Sequence, residues 1–304
     1  MSIFAFCMEG LSILIPTYNY CCVQLVRDLQ EQASATALDF EIIVADDGST
    51  DDSIRLRNMA IQEIPNCHYI IRQRNCGRSA IRNFLARQAI YPWLLFIDSD
   101  MMICRPDFIK TYWVNKENVV DGGIVVNGSN EHLLRYLYER ASEQEHTVEK
   151  RRKSPYHDFH TANFMIPREL MLRFPFDERY SHYGYEDVAF GITLKNNSID
   201  ILHIDNPMSF EVFESNEDFI LKTEEGLRTL YAFRHELKGY SRLLQAVNSL
   251  HRPVVWLISL WHQLFGTWER CQLMGNHPRL ILFNIYKLGY YLTYVKKQSS
   301  STSL

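Results

Sequence analysis

Two aspartates separated by one residue, Asp98 and Asp100, directly follow a short apolar segment. Carboxylates at this spacing can hold Mg²⁺ or Mn²⁺ against a diphosphate, because both ions prefer hard oxygen ligands and accept phosphate oxygens and water beside one or two carboxylates. The ion would neutralise the charge that builds on a departing nucleoside diphosphate. Such a triplet also occurs by chance in many chains, so its surroundings must decide its meaning.

A second acidic pair, Glu186-Asp187, follows Tyr183-Gly184. A carboxylate within about 2.6–3.2 Å of an acceptor hydroxyl can remove its proton as a general base. The pair is also typical of a helix N-terminus, where the macrodipole favours acidic side chains. Tyr183 could stack on a sugar ring or pack inside the protein, and the sequence leaves both interpretations open.

The first hundred residues predict the elements that position the Asp98 triplet. Short apolar segments with turn residues behind them alternate with helical patterns, which is typical of β-α-β units and a parallel sheet. In such sheets ligands bind beyond the carboxyl ends of the strands. The predicted strands are Ser12–Ile15, Glu41–Ala45, His68–Ile71 and Trp93–Ile97, and the predicted helices are Cys22–Gln32, Asp52–Ala60 and Ser79–Gln88.

Polar residues cluster directly after these strands, at the predicted ligand edge. The cluster that begins at Asp46 also fits a turn followed by a helix N-cap, and that role can coexist with ligand binding. The clusters are Pro16-Thr17-Tyr18-Asn19, Asp46-Asp47-Gly48-Ser49, the segment from Arg72 to Gly77, and Asp98-Ser99-Asp100.

In this order the motifs resemble those of glycosyltransferase family 2, over about residues 10 to 215. The resemblance implies an α/β protein of the GT-A fold, with a Rossmann-like nucleotide-binding half-sheet and an acceptor-side subdomain. It also implies sugar transfer from a nucleotide sugar with inversion at the anomeric carbon. The segments that carry it are Ile13–Asn19, Glu41–Asp51, Asn75-Cys76-Gly77 with Ala80–Asn83, Leu95–Asp100, and Glu186-Asp187 behind Tyr183-Gly184.

The resemblance further implies roles for individual residues. Asp187 would be the general base, and Glu186, Tyr183 and Gly184 would bind the acceptor. Asp100, with Asp98, would hold Mn²⁺ or Mg²⁺. The residues implied for donor binding are Pro16, Thr17, Tyr18, Asn19, Asp46, Asp47, Gly77, Arg78, Arg82, Asp98 and Ser99.

One position departs from the family pattern. Family members often supply a further metal ligand, a histidine, downstream of the acidic pair, and here Phe210 aligns with it. Either Glu211 or His203 replaces that ligand, or Asp100, the diphosphate and water hold the cation alone. His203 also fits a packed strand residue, because apolar residues flank it.

Length and composition bound the architecture. The 304 residues, 46% hydrophobic and 22% charged, predict a folded catalytic domain with an appended subdomain. We expect a GT-A domain over 10–235, split into a nucleotide-sugar half (10–105) and an acceptor half (106–235). An amphipathic helical extension over 236–298 and a disordered tail over 299–304 would follow.

Cysteine usage and the N-terminus predict the compartment. The seven cysteines include no Cys-x-x-Cys pair, which argues against a disulfide framework and a zinc site. The first residues lack the basic start and long apolar stretch of a secretory signal. We therefore expect a cytoplasmic protein.

Charge is distributed unevenly along the chain. The segment His132–Lys150 predicts one polar helix leading into the basic run Lys150–Lys153, which indicates either a solvated face or a contact with an anionic diphosphate. From Lys238 onward eight basic residues stand against one acid, so this part carries +7 and the rest −11. Such asymmetry suggests attraction to an anionic surface.

The aromatic C-terminal part, 241–297, allows two interpretations. It is either a peripheral membrane contact or a helical cap on the catalytic domain, and its apolar run Pro253–Leu260 is far below the roughly 20 residues needed to span a bilayer. Its basic residues are scattered, so we expect no nucleic-acid partner.

Processive polysaccharide synthases of the family that this sequence resembles add several membrane spans and a Gln-x-x-Arg-Trp motif. The sequence shows neither, so the resemblance implies a non-processive enzyme. We expect it to build bacterial surface polysaccharide at the inner face of the cytoplasmic membrane, from a nucleotide sugar, preferably a UDP-sugar, onto a glycan or lipid-linked acceptor. Two alternatives are a sugar nucleotidyltransferase, which would need a glycine-rich loop where Leu14–Asn19 stands, and a non-catalytic sugar- or lipid-binding scaffold on a degenerate GT-A fold.

Overall fold

The computed structural model describes residues 9–301 and divides the chain into two compact units. Unit 1 comprises the chain up to Asn127 together with His146–Ser181 and Phe190–Glu211. Unit 2 comprises Gly128–Glu145, His182–Ala189 and the chain from Val212 onward. All strands of the described chain fall in unit 1, so unit 1 is α/β and unit 2 is helical.

Unit 1 is built on strands whose order differs from their order in the chain. They are β1 (Gly10–Thr17), β2 (Asp39–Asp46), β3 (Cys67–Ile71), β4 (Trp93–Ile97), β5 (Met101–Ile103), β6 (Val119–Asp121), β7 (Ile124–Val126), β8 (Asn163–Pro167), β9 (Ile201–His203) and β10 (Met208–Phe210). The main sheet has seven strands in the order β3-β2-β1-β4-β8-β6-β9.

Strands β1 to β4 confirm the four predicted strands and run parallel, so their carboxyl ends share one edge. Ile13, Leu14 and Ile15 are fully buried, as expected for a parallel strand covered on both faces. β8 then inserts antiparallel between β4 and β6. A smaller sheet pairs β10 antiparallel with β5 and parallel with β7.

The helices follow the predicted alternation in the first part of the chain, where α1, α2 and α3 confirm the three predicted helices. They are α1 (Val23–Ser34), α2 (Asp52–Asn58), α3 (Arg78–Gln88), α4 (Phe108–Val114), α5 (Leu134–Glu143), α6 (Val148–Lys153), α7 (Arg168–Arg173), α8 (Glu186–Asn196), α9 (Asn216–Ala232), α10 (Arg242–Ser249), α11 (Arg252–Met274) and α12 (Leu280–Ser301).

The core of unit 1 lies between the main sheet and its helices and is rich in phenylalanine. Phe96 of β4 stacks on Phe164 of β8 at 4.9 Å, and Phe176 stacks on Phe190 at 4.1 Å. Burying each such ring contributes about 1.5–3 kcal/mol. This packing anchors the strand from which the Asp98 triplet emerges.

The prediction of one helix over His132–Lys150 was wrong. α5 ends at Glu143 and α6 begins at Val148, because Thr147 is extended at φ −61° and ψ 154°. The basic run is also not a uniformly solvated face. Arg151 is buried, and its guanidinium bonds Asp121 Oδ1 at 3.2 Å and the carbonyl oxygen of Ile204 at 2.9 Å, which holds α6 on β6 and β9.

Unit 2 packs α9, α11 and α12 around a core of its own. That core comprises Leu134, Phe219, Ile220, Leu273, Phe283 and Tyr286. α12 continues to Ser301, three residues into the predicted tail, and the hydroxyls of Ser299 and Ser300 donate to carbonyls one turn earlier. Residues 302–304 lie outside the described residues. Between residues 9 and 301, no helix combines the length and apolar character needed to cross a membrane.

Candidate active site

The Asp98 triplet forms a tight turn between β4 and β5. The backbone N–H of Asp98 donates to the Ala162 carbonyl at 3.0 Å, and the N–H of Met101 donates back to the Asp98 carbonyl at 3.2 Å. Asp98, Ser99 and Asp100 are all partly exposed. The turn therefore presents two carboxylates at the carboxyl edge of the parallel strands.

Asp98 is held by arginines from α3. Arg82 Nη2 lies 2.6 Å from Asp98 Oδ1, and Arg78 Nη1 lies 4.0 Å from Asp98 Oδ2. The Arg82 side chain is 1% exposed and stands over the ring of Phe176, so its position is fixed by packing. Because Asp98 is neutralised by a fixed guanidinium, Asp100 is the better placed of the two for a cation.

The small sheet brings a third carboxylate close in register. β10 pairs antiparallel with β5, and Phe210 lies opposite Met101. Glu211 directly follows Phe210 in the chain and Asp100 directly precedes Met101, so both carboxylates adjoin the same end of this strand pair. Glu211 Oε1 accepts from Ser209 Oγ at 2.7 Å and from Asn127 Nδ2 at 3.3 Å. The carboxylate oxygens of Asp100 and Glu211 are hard ligands, the type that Mg²⁺ and Mn²⁺ prefer.

Within residues 9–301, no three His, Cys, Asp or Glu side chains form a group that could hold a metal ion. A cation at this edge would therefore take few protein carboxylates and complete its shell with phosphate oxygens and water, which is usual for Mg²⁺. The residues present fit a metal of that kind.

His203 was named beside Glu211 as an alternative third ligand, and the structure places it inside unit 1. His203 is 1% exposed in β9, where its Nε2 donates to the Pro155 carbonyl at 2.9 Å and its Nδ1 accepts from Arg151 Nη1 at 3.0 Å. Both ring nitrogens are engaged, so neither offers a lone pair to a metal. This geometry is the one expected of a packed strand residue.

The cluster around Arg151 contains perturbed titratable groups. Burial raises the pKa of Asp121 to about 6, against the opposing effect of Arg151. Burial lowers the pKa of His160 to about 3 and that of His203 to about 4. Both imidazoles are therefore neutral near pH 7, and the cluster fastens α6 and the segment before β8 to the sheet.

Asp46 and Asp47, at the end of β2, shape the loops around them. Asp46 is fully buried, and its two oxygens accept from the Ser49 N–H at 2.6 Å and the Tyr69 hydroxyl at 2.6 Å. Asp47 accepts from Arg72 Nη1 at 2.6 Å. Burial raises the pKa of Asp47, and its hydrogen bonds partly offset this.

The same carboxylates organise the neighbouring loops. The N–H groups of Cys76 and Gly77 both donate to Asp47 Oδ2 at 3.0 Å. Gly77 has φ +89°, and a Cβ there would lie 2.5 Å from the Ser181 carbonyl oxygen, so only glycine fits. Asp51 caps α2 by accepting from the N–H groups of Ser53 and Ile54, which confirms the predicted N-cap.

The loop after β1 is tied to the loop after β2. Asn19, at φ 49°, donates its N–H to Ser49 Oγ at 2.7 Å, and its Oδ1 accepts from the Thr50 N–H at 2.8 Å. Thr17 is buried and Pro16 half-buried, whereas Tyr18 is 44% exposed. Among these predicted donor-binding residues, Tyr18 is the one with a ring surface open for stacking on a base.

The predicted acceptor-side residues lie in unit 2, at the start of α8. Glu186 is buried, Asp187 is partly exposed, and Asp187 Oδ1 accepts from the Val188 N–H at 2.7 Å. Tyr183 is half-buried, with its hydroxyl 3.2 Å from Arg135 Nη1. The helix N-terminus favours the negative charge of both carboxylates.

The loop that precedes Asp187 is held by its backbone on α9. The Tyr183 N–H donates to Glu225 Oε1 at 3.2 Å, and the Tyr183 carbonyl accepts from Thr229 Oγ1 at 3.0 Å. Gly184 has φ +95°, and a Cβ on it would lie 3.3 Å from the Gly226 Cα.

Tyr185, at φ +69°, is the second residue of this loop in the left-handed region, which is strained for a non-glycine residue and common at functional sites. We call Glu225, Gly226 and Thr229 the α9 clamp. Two features of the sequence are consistent with it, the one-turn spacing of Glu225 and Thr229 and a glycine inside a helix, but neither points to a partner.

Comparisons with known proteins show where this chain has relatives. Residues 12–174 match the family model described as glycosyl transferase family 2. A chondroitin synthase of Escherichia coli is 25% identical over 242 residues, which cover 67% of this chain and 34% of the relative. One of Pasteurella multocida is 24% identical over 292 residues, covering 83% and 30%. The chain thus spans about a third of the length of these relatives.

Two solved structures share the fold. Residues 1–349 of TarS from S. aureus superpose with a TM-score of 0.50 at 16% identity, covering 96% of this chain and 92% of that one. The mannosyltransferase PcManGT of Pyrobaculum calidifontis, solved with GDP-Man and Mn²⁺, gives a TM-score of 0.52 at 14% identity, covering 94% and 86%. The chain has the GT-A fold that these structures share.

Proposed function

Because the chain belongs to glycosyltransferase family 2, we propose that it is an inverting, non-processive enzyme that moves one sugar from a nucleotide-diphosphate donor to a glycan or lipid-linked acceptor. The acceptor would belong to a bacterial surface polysaccharide, in keeping with relatives named chondroitin synthase and teichoic acid polymerase. The observation that carries the proposal is the Asp98–Asp100 turn, held at the carboxyl edge of the parallel strands by Arg82.

The donor would bind along this edge. Tyr18 offers an exposed ring to the base, and Asp98, oriented by Arg82, accepts hydrogen bonds from ribose hydroxyls. Arg78 lies beside Asp98 with a largely exposed side chain and offers positive charge to the diphosphate. Asp46 and Asp47 would act mainly by fixing the loops that surround the nucleotide.

A divalent cation, Mn²⁺ or Mg²⁺, would be held by Asp100, with Asp98 and Glu211 nearby. When bound, such an ion supplies charge neutralisation for the diphosphate as it departs. PcManGT, which shares the fold, was solved with Mn²⁺.

Asp187 would be the general base. Its carboxylate would accept the proton of the acceptor hydroxyl while that oxygen attacks the anomeric carbon from the face opposite the diphosphate, which inverts the configuration. Glu186, Tyr183 and Gly184 would hold the acceptor. The α9 clamp would fix this loop, since transfer depends on the alignment of the reacting groups.

We place the reaction at the inner face of the cytoplasmic membrane, where lipid-linked acceptors are assembled. Support comes from the basic, aromatic part of the chain over 241–297. The donor panel begins with UDP-sugars, because TarS, with the same fold, was solved with UDP-GlcNAc.

The test is a panel of nucleotide sugars assayed for hydrolysis and for binding by calorimetry, with and without Mn²⁺. In Asp187→Asn, turnover should fall by about 10²–10⁴-fold while donor binding persists, because an amide cannot accept the proton. In Asp100→Asn, metal-dependent donor binding should weaken instead. Turnover retained in Asp187→Asn would remove the base assignment, and no binding of any nucleotide sugar would favour the scaffold alternative.

A further inference from the structure

The outward surface of α11 is apolar along most of its length. Eight large hydrophobic side chains within fifteen residues are each more than a third exposed, and no Asp, Glu, Lys or Arg lies between them. They are Val254, Trp256, Leu257, Leu260, Trp261, Leu264, Phe265 and Trp268. We call this set the α11 face.

The opposite side of α11 explains why this face points outward. Glu269 is fully buried and accepts from Trp261 Nε1 and His262 Nδ1, both at 2.8 Å. A Cβ on Gly289 of α12 would lie 2.7 Å from His262 Cβ, so the two helices approach closely along this side. The rotation of α11 is therefore fixed along this side, and within the α11 face Trp261 contributes to it through the N–H that it donates to Glu269.

The exposed charge within the segment 238–301, to which the α11 face belongs, has one sign. From Lys238 onward the single acid is Glu269, and it is buried, so the described residues 238–301 expose no carboxylate side chain. The exposed basic side chains are Lys238, Arg242, Arg252, Arg279, Lys296 and Lys297. A large apolar surface accompanied only by cations complements an anionic lipid layer.

We infer that the α11 face inserts into the interface of an anionic bilayer, with α11 lying in the membrane plane. Tryptophan suits this position, because its ring is apolar and its N–H can stay near the headgroups. A second copy of the chain is a weaker occupant, since two faces accompanied by the same positive charge repel each other. The inference rests on the proposed function in one respect: a lipid-linked acceptor would explain why membrane binding is useful.

The test uses the full chain and vesicles of phosphatidylcholine with and without phosphatidylglycerol, in a flotation assay. Wild type should float with the anionic vesicles and much less with the neutral ones, and added salt should weaken the binding. The variant W256S/L264S/W268S removes three exposed side chains that the packing against α12 does not need. Its partitioning should fall by roughly tenfold or more, because less apolar surface enters the interface.

A matched control replaces three equally exposed apolar residues of unit 1, in L56S/I90S/V114S. It should bind vesicles like wild type. Both variants should keep nucleotide-sugar binding, so loss of donor binding in wild type would count against the proposed function and not against this surface. The inference is overturned if wild type does not float, if both triple variants bind equally, or if the α11 variant only abolishes a dimer seen by light scattering.

Discussion

The predicted donor-side and acceptor-side residues are held in place by different physical means. In unit 1, Asp98 is held by the guanidinium of Arg82, and Asp47 by that of Arg72 together with the N–H groups of Cys76 and Gly77. In unit 2, the loop before Asp187 is fixed through its backbone, by hydrogen bonds from the α9 clamp and by the close approach of two glycines.

The two sets of residues should therefore respond to different substitutions. A buried ion pair fails when one partner is removed, because the remaining charge loses its compensation. Backbone hydrogen bonds such as those to the α9 clamp fail when the side chain that donates or accepts is removed, or when a side chain is added at a glycine contact. Donor binding should therefore respond to charge and pH, and the acceptor loop to shape and hydrogen bonding.

The largest effect should come from breaking the charge pair in unit 1. Arg82→Met leaves Asp98 without its buried partner and should lower the free energy of unfolding by about 3 kcal/mol. Urea denaturation measures this, and calorimetry with UDP should show weaker binding. Arg78→Met is the control: its guanidinium is 46% exposed and 4.0 Å from Asp98, so stability should change by less than about 1 kcal/mol. Equal losses in both would contradict the comparison.

A pH titration should show how the free energy of unfolding depends on the charged groups of unit 1. The folded pKa values of His160 and His203, about 3 and about 4, lie below the ordinary histidine pKa of about 6.5, so their stabilising contribution is present above pH 6.5 and lost as the pH falls. The raised pKa of Asp121, about 6, acts in the opposite sense, because its contribution grows as the pH falls below 6.

The stability lost at His160 and His203 exceeds the stability gained at Asp121. The unfolding free energy should therefore fall between pH 6.5 and pH 5 by on the order of 2 kcal/mol. Thermal denaturation across this range measures the slope. His160→Asn should flatten it, whereas His68→Gln, which alters an exposed histidine of β3, should not. A slope unchanged in His160→Asn would show that the Arg151 cluster does not govern the acid response.

The smallest effect on stability should come from the clamp in unit 2. Thr229→Val is nearly isosteric but removes the donor to the Tyr183 carbonyl, and it should lower unfolding free energy by about 1 kcal/mol. Turnover should fall severalfold with UDP binding unchanged, because only the acceptor loop loosens. Thr229→Ser keeps the hydroxyl and should restore turnover. If donor binding weakens in Thr229→Val, the two means of positioning are not separate.

Much of unit 1 could be predicted from sequence, because buried parallel strands leave a local signature. β4 has the predicted bounds, and β1 to β3 extend the predicted segments by at most a few residues. The insertion of β8 beside β4 was not predictable. It pairs segments far apart in the chain, and no local pattern reports which strands become neighbours.

The candidate site divides in the same way. Asp98 and Asp100 could be located, since strand ends face ligands in such sheets, but the partner of Asp98 could not. The burial of His203 against Arg151 could not be located either, because it depends on contacts between segments far apart in the chain. The burial of Arg151 within the basic run Lys150–Lys153 could not be predicted for a similar reason.

The sequence alone determined the residue types at each strand end, the order of the motifs and the excess of basic residues after Lys238. These follow from local periodicity and composition. Only the tertiary structure decided that Arg82 neutralises Asp98, that the strand before Glu211 pairs with the strand after Asp100, and that the one acid of the C-terminal part is buried. Each depends on contacts between distant segments, and the geometry of those contacts is set when the core packs.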